Sequence, residues 1–178
     1  MMKEGGQNSY RFSLSWPRII KNKEGEINEK GLAFYQRLLD ACHKYDIEPF
    51  VTIYHWESSS VIGKKKVGWL NNKVAYAFEH LAKVCFEHFG DKVRNWTTFN
   101  EPKWFIANGY FIGNYPPGLQ DVQKTMVGAY NVMLASALGV RAFREGDYQG
   151  QIGIVHSYTP VNGVDDTIET RVAMRYRR

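Results

Sequence analysis

The chain has 178 residues, enough for one domain with a hydrophobic core. Apolar residues make up 44% and aromatic residues 15%, which excludes a disordered chain. The formal net charge of +5 is scattered except at Lys64-Lys65-Lys66 and at Arg175, Arg177 and Arg178; no recognition module accompanies these clusters, so they read as solvated surface and no nucleic-acid partner is expected.

Tyr10–Trp16 alternates large apolar with small or polar residues and predicts a strand, which Pro17 ends. A polar loop, Lys21–Ile27, follows around Gly25. Asn28 is placed to cap a helix whose apolar stripe is Leu32, Tyr35, Leu39 and Cys42. Glu48–His55 is near-continuously apolar and β-branched, the pattern of a strand buried on both faces. The loop from Trp56 to Asn71 carries Ser58-Ser59-Ser60 and the lysine triplet. A second helix shows Val74, Ala77, Phe78, Leu81 and Cys85 on one face, and Gly90 stands where a C-cap glycine would close it. Val93–Glu101 predicts a third strand. Lys103–Asp121 reads as a long aromatic and glycine-rich connection. A third helix follows, with Val127, Tyr130, Leu134, Ala137, Leu138 and Arg141 as its stripe. Gly146 and Gly150 bracket a turn, Ile152–Tyr158 predicts a fourth strand ended by Pro160, and Met174–Arg178 reads as an interrupted helix.

This rhythm of strand and helix means βα units and a parallel sheet. Such sheets close as a doubly wound sheet or as an eight-stranded barrel. Pro17-Arg18-Ile19 follows the first strand where a dinucleotide-binding unit would place its glycines, so a Rossmann unit is disfavoured. A complete barrel takes about 250 residues, and this chain offers roughly half of its strands. Cys42 and Cys85 show no C-x-x-C spacing and read as buried free thiols of a reducing compartment. The first nine residues have no apolar signal region, and no apolar run is read as long enough to span a bilayer. A cytoplasmic protein without a membrane partner is the expectation.

In parallel α/β proteins, chemistry sits at the C-terminal ends of strands. The third strand ends in Asn100-Glu101-Pro102, either a positioned general acid or plain punctuation before a helix. The second ends in His55-Trp56-Glu57. Arg11 lies within an apolar run, where an unpaired cation is costly, and so implies a carboxylate partner, structural or functional. Together these residues offer imidazole, amide and guanidinium groups for hydroxyls and an indole for a sugar's C–H face. A period of two would send Asn100 and Glu101 to opposite faces; both reach one cleft only where the strand ends or bulges. Glycoside hydrolysis needs two carboxylates. Glu101 can be one; Glu57 is the candidate for the other, with no strand of its own to hold it. Asp165 and Asp166 read as solvated. His55, His156 and Glu101 lack any metal-ligand spacing, and neither a metal nor a cofactor is expected.

Three ordered segments carry a resemblance: Tyr10-Arg11-Phe12-Ser13-Leu14-Ser15-Trp16-Pro17-Arg18-Ile19, Thr52-Ile53-Tyr54-His55-Trp56 and Trp96-Thr97-Thr98-Phe99-Asn100-Glu101-Pro102. The chain resembles glycoside hydrolase family 1, which contains β-glucosidases and 6-phospho-β-glucosidases. The resemblance implies a (β/α)8 barrel and a retaining double-displacement mechanism on β-glucosides or their 6-phosphates. It implies Glu101 as acid/base, Asn100 as the partner of the sugar 2-hydroxyl, His55 and Trp56 as glycone-binding residues, and Arg11 as the arginine contacting the nucleophile. The family's nucleophile motif, Ile/Val-Thr-Glu-Asn-Gly, is absent from the chain, and Glu57-Ser58-Ser59 stands where the family usually has Asp-Leu-Pro. The expectation is therefore a single incomplete barrel domain over residues 1–178, an N-terminal-half piece comprising about strands two to five of eight. Such a piece is expected to be inert by itself, keeping either a residual sugar-binding surface or one for self-association through exposed sheet edges.

Overall fold

Four strands, β1 (Ser9–Ser13), β2 (Glu48–Tyr54), β3 (Asn95–Asn100) and β4 (Gln151–Val155), run parallel in the order β1-β2-β3-β4. A doubly wound sheet reverses its strand order at a switch point; an unreversed order is that of a barrel arc. Helices α2 (Glu29–Lys44), α3 (Lys73–Phe89) and α5 (Val122–Glu145) make the crossovers that parallel pairing requires. The chain is described from a computed structural model over residues 1–57, 68–158, 160 and 162–176. The serine triplet, the lysine triplet and Arg177-Arg178 lie outside the described residues.

One face of the sheet is covered by helices. Val51, Ile53 and Trp96 are buried there, with Trp96 edge-on to Phe86 of α3. The opposite face is open, so β2 is buried on one face along its first half rather than on both: Glu48 and Phe50 are exposed. That face carries polar ladders instead of an apolar layer. Asn95 Nδ2 donates to Glu48 Oε1 at 2.7 Å, and Gln151 Nε2 donates to Asn95 Oδ1 at 3.0 Å.

β1 stops earlier than the alternation predicts. Trp16 opens a short helix, α1 (Trp16–Ile19), and is buried beneath it, so Pro17 begins a helix as much as it ends a strand. The predicted stripe of α2 is buried as expected. Asn28 sits at its N-cap with extended backbone, but its side-chain amide donates to the Arg18 carbonyl and ties α2 to α1 instead of capping. On α3, Val74, Phe78, Leu81 and Cys85 are buried as predicted. Gly90 follows α3 with φ −66°, so it is not a left-handed cap. It is required by proximity: a Cβ there would lie 2.4 Å from the Phe86 carbonyl oxygen.

The stripe predicted for α5 is out of phase. Val127, Tyr130, Ala137 and Arg141 are exposed and only Leu138 of the six is buried. The buried face is Gly128, Asn131, Val132, Ala135, Ser136, Leu138, Gly139, Ala142 and Phe143. Small residues let α5 approach closely. A Cβ on Gly139 would meet Phe78 at 3.1 Å and Thr98 at 3.5 Å. Periodicity found the large apolar residues, while packing chose the small ones. With 24 residues, α5 is also long and apolar enough to cross a membrane, which corrects the sequence reading; half of its most apolar window is buried inside the fold, as in a core helix. The aromatic and glycine-rich stretch Lys103–Asp121 is partly helical. It begins with α4 (Pro102–Ile106) and a π-helical turn, Ala107–Ile112. A last helix, α6 (Ile168–Tyr176), follows β4.

α3 and α5 are further tied through Glu79, whose carboxylate accepts from Lys83 Nζ and Arg141 NH2, each at 3.1 Å. Burial alone would raise the Glu79 pKa; hydrogen bonds and charge from Lys83 and Arg141 outweigh it and hold the carboxyl below its ordinary 4.5. A depressed folded-state pKa adds stability above the unfolded value and loses it as pH falls through the folded value. Glu79→Gln is therefore expected to cost about 1–2 kcal/mol at neutral pH. In urea melts, its stability should converge with the wild type below pH 4.5. A pH-independent difference would contradict the pairing.

Candidate active site

The end of β3 sets the geometry. Thr97 pairs with Gly153 and Asn100 with Val155, so β3 carries one residue more than β4 over this interval. The extra residue is a bulge. Thr98 bonds Ser136 of α5 at 2.8 Å, and Phe99 stacks on Phe78 of α3 at 4.6 Å, so two successive side chains turn toward the helices. Asn100 then joins Thr97 on the open face. Glu101 follows with φ 44°, ψ 59°, left-handed for a non-glycine residue, and Pro102 starts α4. Its backbone N–H donates to the Val155 carbonyl at 2.7 Å. The bulge turns Asn100 to the open face, and the left-handed turn takes Glu101 out of the strand at the same end of the sheet. The Glu101 side chain is half-buried and takes no hydrogen bond or ion pair among the described residues.

Arg11 reaches the same place from β1. Its guanidinium donates to Thr52 Oγ1 at 3.0 and 3.1 Å and to Asn100 Oδ1 at 2.6 Å. Thr52 in turn bonds Thr97 at 2.8 Å. Arg11 is exposed on the open face, not buried, and among the described residues its partners are a hydroxyl and an amide rather than a carboxylate. The apolar run that suggested burial is one-sided: Phe12 lies on the helix side with Tyr35, and Arg11 does not. Asn100 accepts from Arg11 through its oxygen, which leaves its NH2 group to donate to a ligand hydroxyl.

β2 ends one residue before His55. His55 keeps more than a third of its surface exposed; the partial desolvation of the rest, first, and the Arg11 charge, second, lower its pKa from 6.5, against an opposing pull from Glu101. These effects place His55, Arg11 and Glu101 in one electrostatic neighbourhood. Trp56 is left-handed, with φ 62°, and its indole N–H is committed to the Asn100 carbonyl at 2.6 Å. Its ring lies parallel to that of Trp104, with centroids 4.4 Å apart. Trp56 therefore has less of its surface available for a sugar than the sequence suggests.

Glu57 is tied to Ser15. Its Oε1 accepts from Ser15 Oγ at 2.9 Å, on the α1 side, and its Oε2 is buried without a partner among the described residues. Ser15 in turn donates its backbone N–H to Tyr35. His156 is exposed just past β4, and the described residues gather no group of three His, Cys, Asp or Glu. Sequence reasoning missed Thr52, Thr97, Trp104 and Tyr115. The two threonines were legible as polar residues at alternate strand positions facing Arg11; the two aromatics lie in the aromatic and glycine-rich stretch to which the sequence assigns no element.

The sequence profile of glycosyl hydrolase family 1 matches residues 1–177. The chain belongs to glycosyl hydrolase family 1. Among its family-1 relatives, the 6-phospho-β-galactosidase of Clostridium acetobutylicum is 41% identical over 170 residues, 94% of this chain and 35% of that protein. β-Glucosidase A of Thermotoga maritima is 44% identical over 151 residues, 84% of this chain and 33% of that protein. The chain thus spans about a third of the length of the curated relatives it matches. The solved β-glucosidase from Thermotoga maritima in complex with deoxynojirimycin superposes with a TM-score of 0.90 at 38% identity, covering 98% of this chain and 39% of that one. The four parallel strands are accordingly part of a family-1 (β/α)8 barrel.

Titration of His55 tests the shared neighbourhood directly. By NMR the His55 imidazole should titrate below 6.5. Arg11→Ala removes a cation and should raise that pKa; Glu101→Gln removes an anion and should lower it further. Insensitivity to both substitutions would separate the three residues.

Proposed function

We propose that this chain supplies the acid/base part of a retaining β-glycosidase acting on β-glucosides or their 6-phosphates. The bulge at the end of β3 supports the reading, because it turns Asn100 toward Arg11 at the strand ends, with Glu101 the next residue in the chain. The relatives, a β-glucosidase and a 6-phospho-β-galactosidase, support a β-glycosidase and leave both free and 6-phosphorylated glycones in view.

In this reading the Glu101 carboxyl, protonated, gives its proton to the glycosidic oxygen as the bond to the anomeric carbon breaks. A carboxylate on the opposite face takes the sugar as a covalent intermediate. Glu101, now ionised, removes a proton from water, whose oxygen attacks the anomeric carbon and releases the sugar with its configuration retained. The Asn100 NH2 group holds the 2-hydroxyl, where hydrogen bonds strengthen in the transition state. His55 and the remaining surface of Trp56 meet the glycone. Arg11 faces the nucleophile and gains the carboxylate that its own partners here do not provide. The nucleophile would stand about 5–5.5 Å from Glu101. In this reading Glu57, bonded to Ser15, is not the nucleophile.

The 178-residue polypeptide contains no Thr-Glu-Asn-Gly segment, so assayed alone on aryl β-glucosides and their 6-phosphates it is expected to be inactive. Joined to the segments of a family-1 relative that lie outside the match, it should turn over at ordinary enzyme rates of ~1–10³ s⁻¹. NMR of the first-formed product should then show the retained anomer. Turnover by the polypeptide alone, abolished in Glu101→Gln, would refute the half-site, and an inverted product would refute the retaining mechanism.

A further inference from the structure

The Asn100–Glu101 peptide is held at both ends. Its carbonyl oxygen accepts from the Trp56 indole N–H at 2.6 Å, and its N–H donates to Val155 of β4 at 2.7 Å. This peptide leads into the left-handed Glu101, a conformation that persists only where the surroundings over-determine it. The bond to β4 is ordinary strand pairing. The bond from Trp56 is a side-chain contact made across two strand ends, and an indole at the end of a loop is free to rotate unless it is packed.

The packing comes from two residues that the reaction scheme does not use. Trp104, on α4, lies parallel to Trp56 with an interplanar angle of 7° and centroids 4.4 Å apart. Tyr115 stands edge-on to both rings, at 6.0 Å from Trp56 and 5.5 Å from Trp104. Its hydroxyl also donates to the Trp56 backbone carbonyl at 3.2 Å, bonding the left-handed residue on its main chain as well. The arrangement is circular. Glu101 opens α4; α4 brings Trp104 onto Trp56; Trp56 holds the peptide of Glu101. Trp104 is itself anchored, since its carbonyl accepts from Asn108 Nδ2 at 2.9 Å at the entry to the π-helical turn.

We propose that Trp104 and Tyr115 are positioning residues for Glu101, acting through Trp56. The inference rests on the reading of Glu101 as the proton donor. A Trp104 that is only surface packing would leave Trp56 and Glu101 undisturbed when it is removed.

The test is NMR on the labelled 178-residue chain, with two readouts. One is hydrogen exchange of each indole N–H. The other is the Glu101 Cα and Cβ shifts, which report the left-handed backbone. Trp104→Ala should speed exchange of the Trp56 indole by about tenfold or more through local opening and move the Glu101 shifts toward averaged values. Trp104→Phe should keep both near wild type. Tyr115→Phe should fall between, since it keeps the ring and loses the bond to Trp56. Trp56→Phe should reproduce the Glu101 change with Trp104 intact, and it carries the test if Trp104→Ala does not fold. The indoles of Trp96, bonded to Val93, and Trp69, bonded to Tyr54, are internal controls and should not change.

Unchanged Trp56 exchange and Glu101 shifts in Trp104→Ala, or a loss shared equally by Trp69 and Trp96, would overturn the proposal. So would unchanged Glu101 shifts in Trp56→Phe. These outcomes leave the role of Glu101 intact. A joined barrel that stays fully active as Glu101→Gln would remove that role while leaving the clamp standing.

Discussion

One extra residue in β3 governs this site. With strict alternation, Asn100 would share the helix-facing side with Trp96 and Thr98. The bulge between Thr97 and Asn100 moves it to the open face, where it meets Arg11. Glu101 then leaves the strand in a left-handed turn that costs about 1–2 kcal/mol. Hydrogen bonds to Val155 and from Trp56, at about 0.5–1.5 kcal/mol each, offset it. The helix that follows inherits its direction from that turn, and with it the placement of Trp104. Strand register, the candidate acid and the aromatic cluster beside it are consequences of a single insertion.

Arg11 shows why the open face is polar. Its guanidinium spans from β1 to Thr52 on β2 and Asn100 on β3, and Thr52 continues the chain of bonds to Thr97. A neutral hydroxyl and an amide satisfy donors but do not balance charge. While this face is open, water does the balancing. In a closed barrel the same cation would be desolvated, and an unbalanced buried charge is costly. The proposed nucleophile answers that cost, because its carboxylate would take the place of the lost water.

Much of this was legible in the residues. The alternation of βα units gave a parallel sheet, and the lack of glycines after the first strand pointed away from a dinucleotide fold. The need for Asn100 and Glu101 to share a cleft pointed to a strand end or bulge, and β3 both bulges before Asn100 and ends there. What was not legible has physical reasons. The buried face of α5 is built from Gly128, Ala135, Ser136, Gly139 and Ala142, which carry little hydrophobic signal and are selected by close approach. Arg11 looked buried because its neighbours are apolar, yet the neighbours and the arginine occupy opposite sides of β1. The Lys103–Asp121 segment gave no element from its glycines and aromatics; its helix and π-helical turn depend on contacts such as Trp69 N–H to the Tyr110 hydroxyl, 41 residues apart.

The central claim is that Glu101 delivers a proton to the leaving group. It is tested most directly by the dependence of the Glu101→Gln defect on leaving-group acidity, in the chain joined to the complementary segments of a family-1 relative. Loss of a general acid costs about 10²–10⁴-fold where the departing oxygen needs a proton. The account predicts a loss of that size for alkyl and weakly acidic aryl β-glucosides, shrinking toward none in the first chemical step for a dinitrophenyl glycoside. An equal loss across the whole series would contradict it.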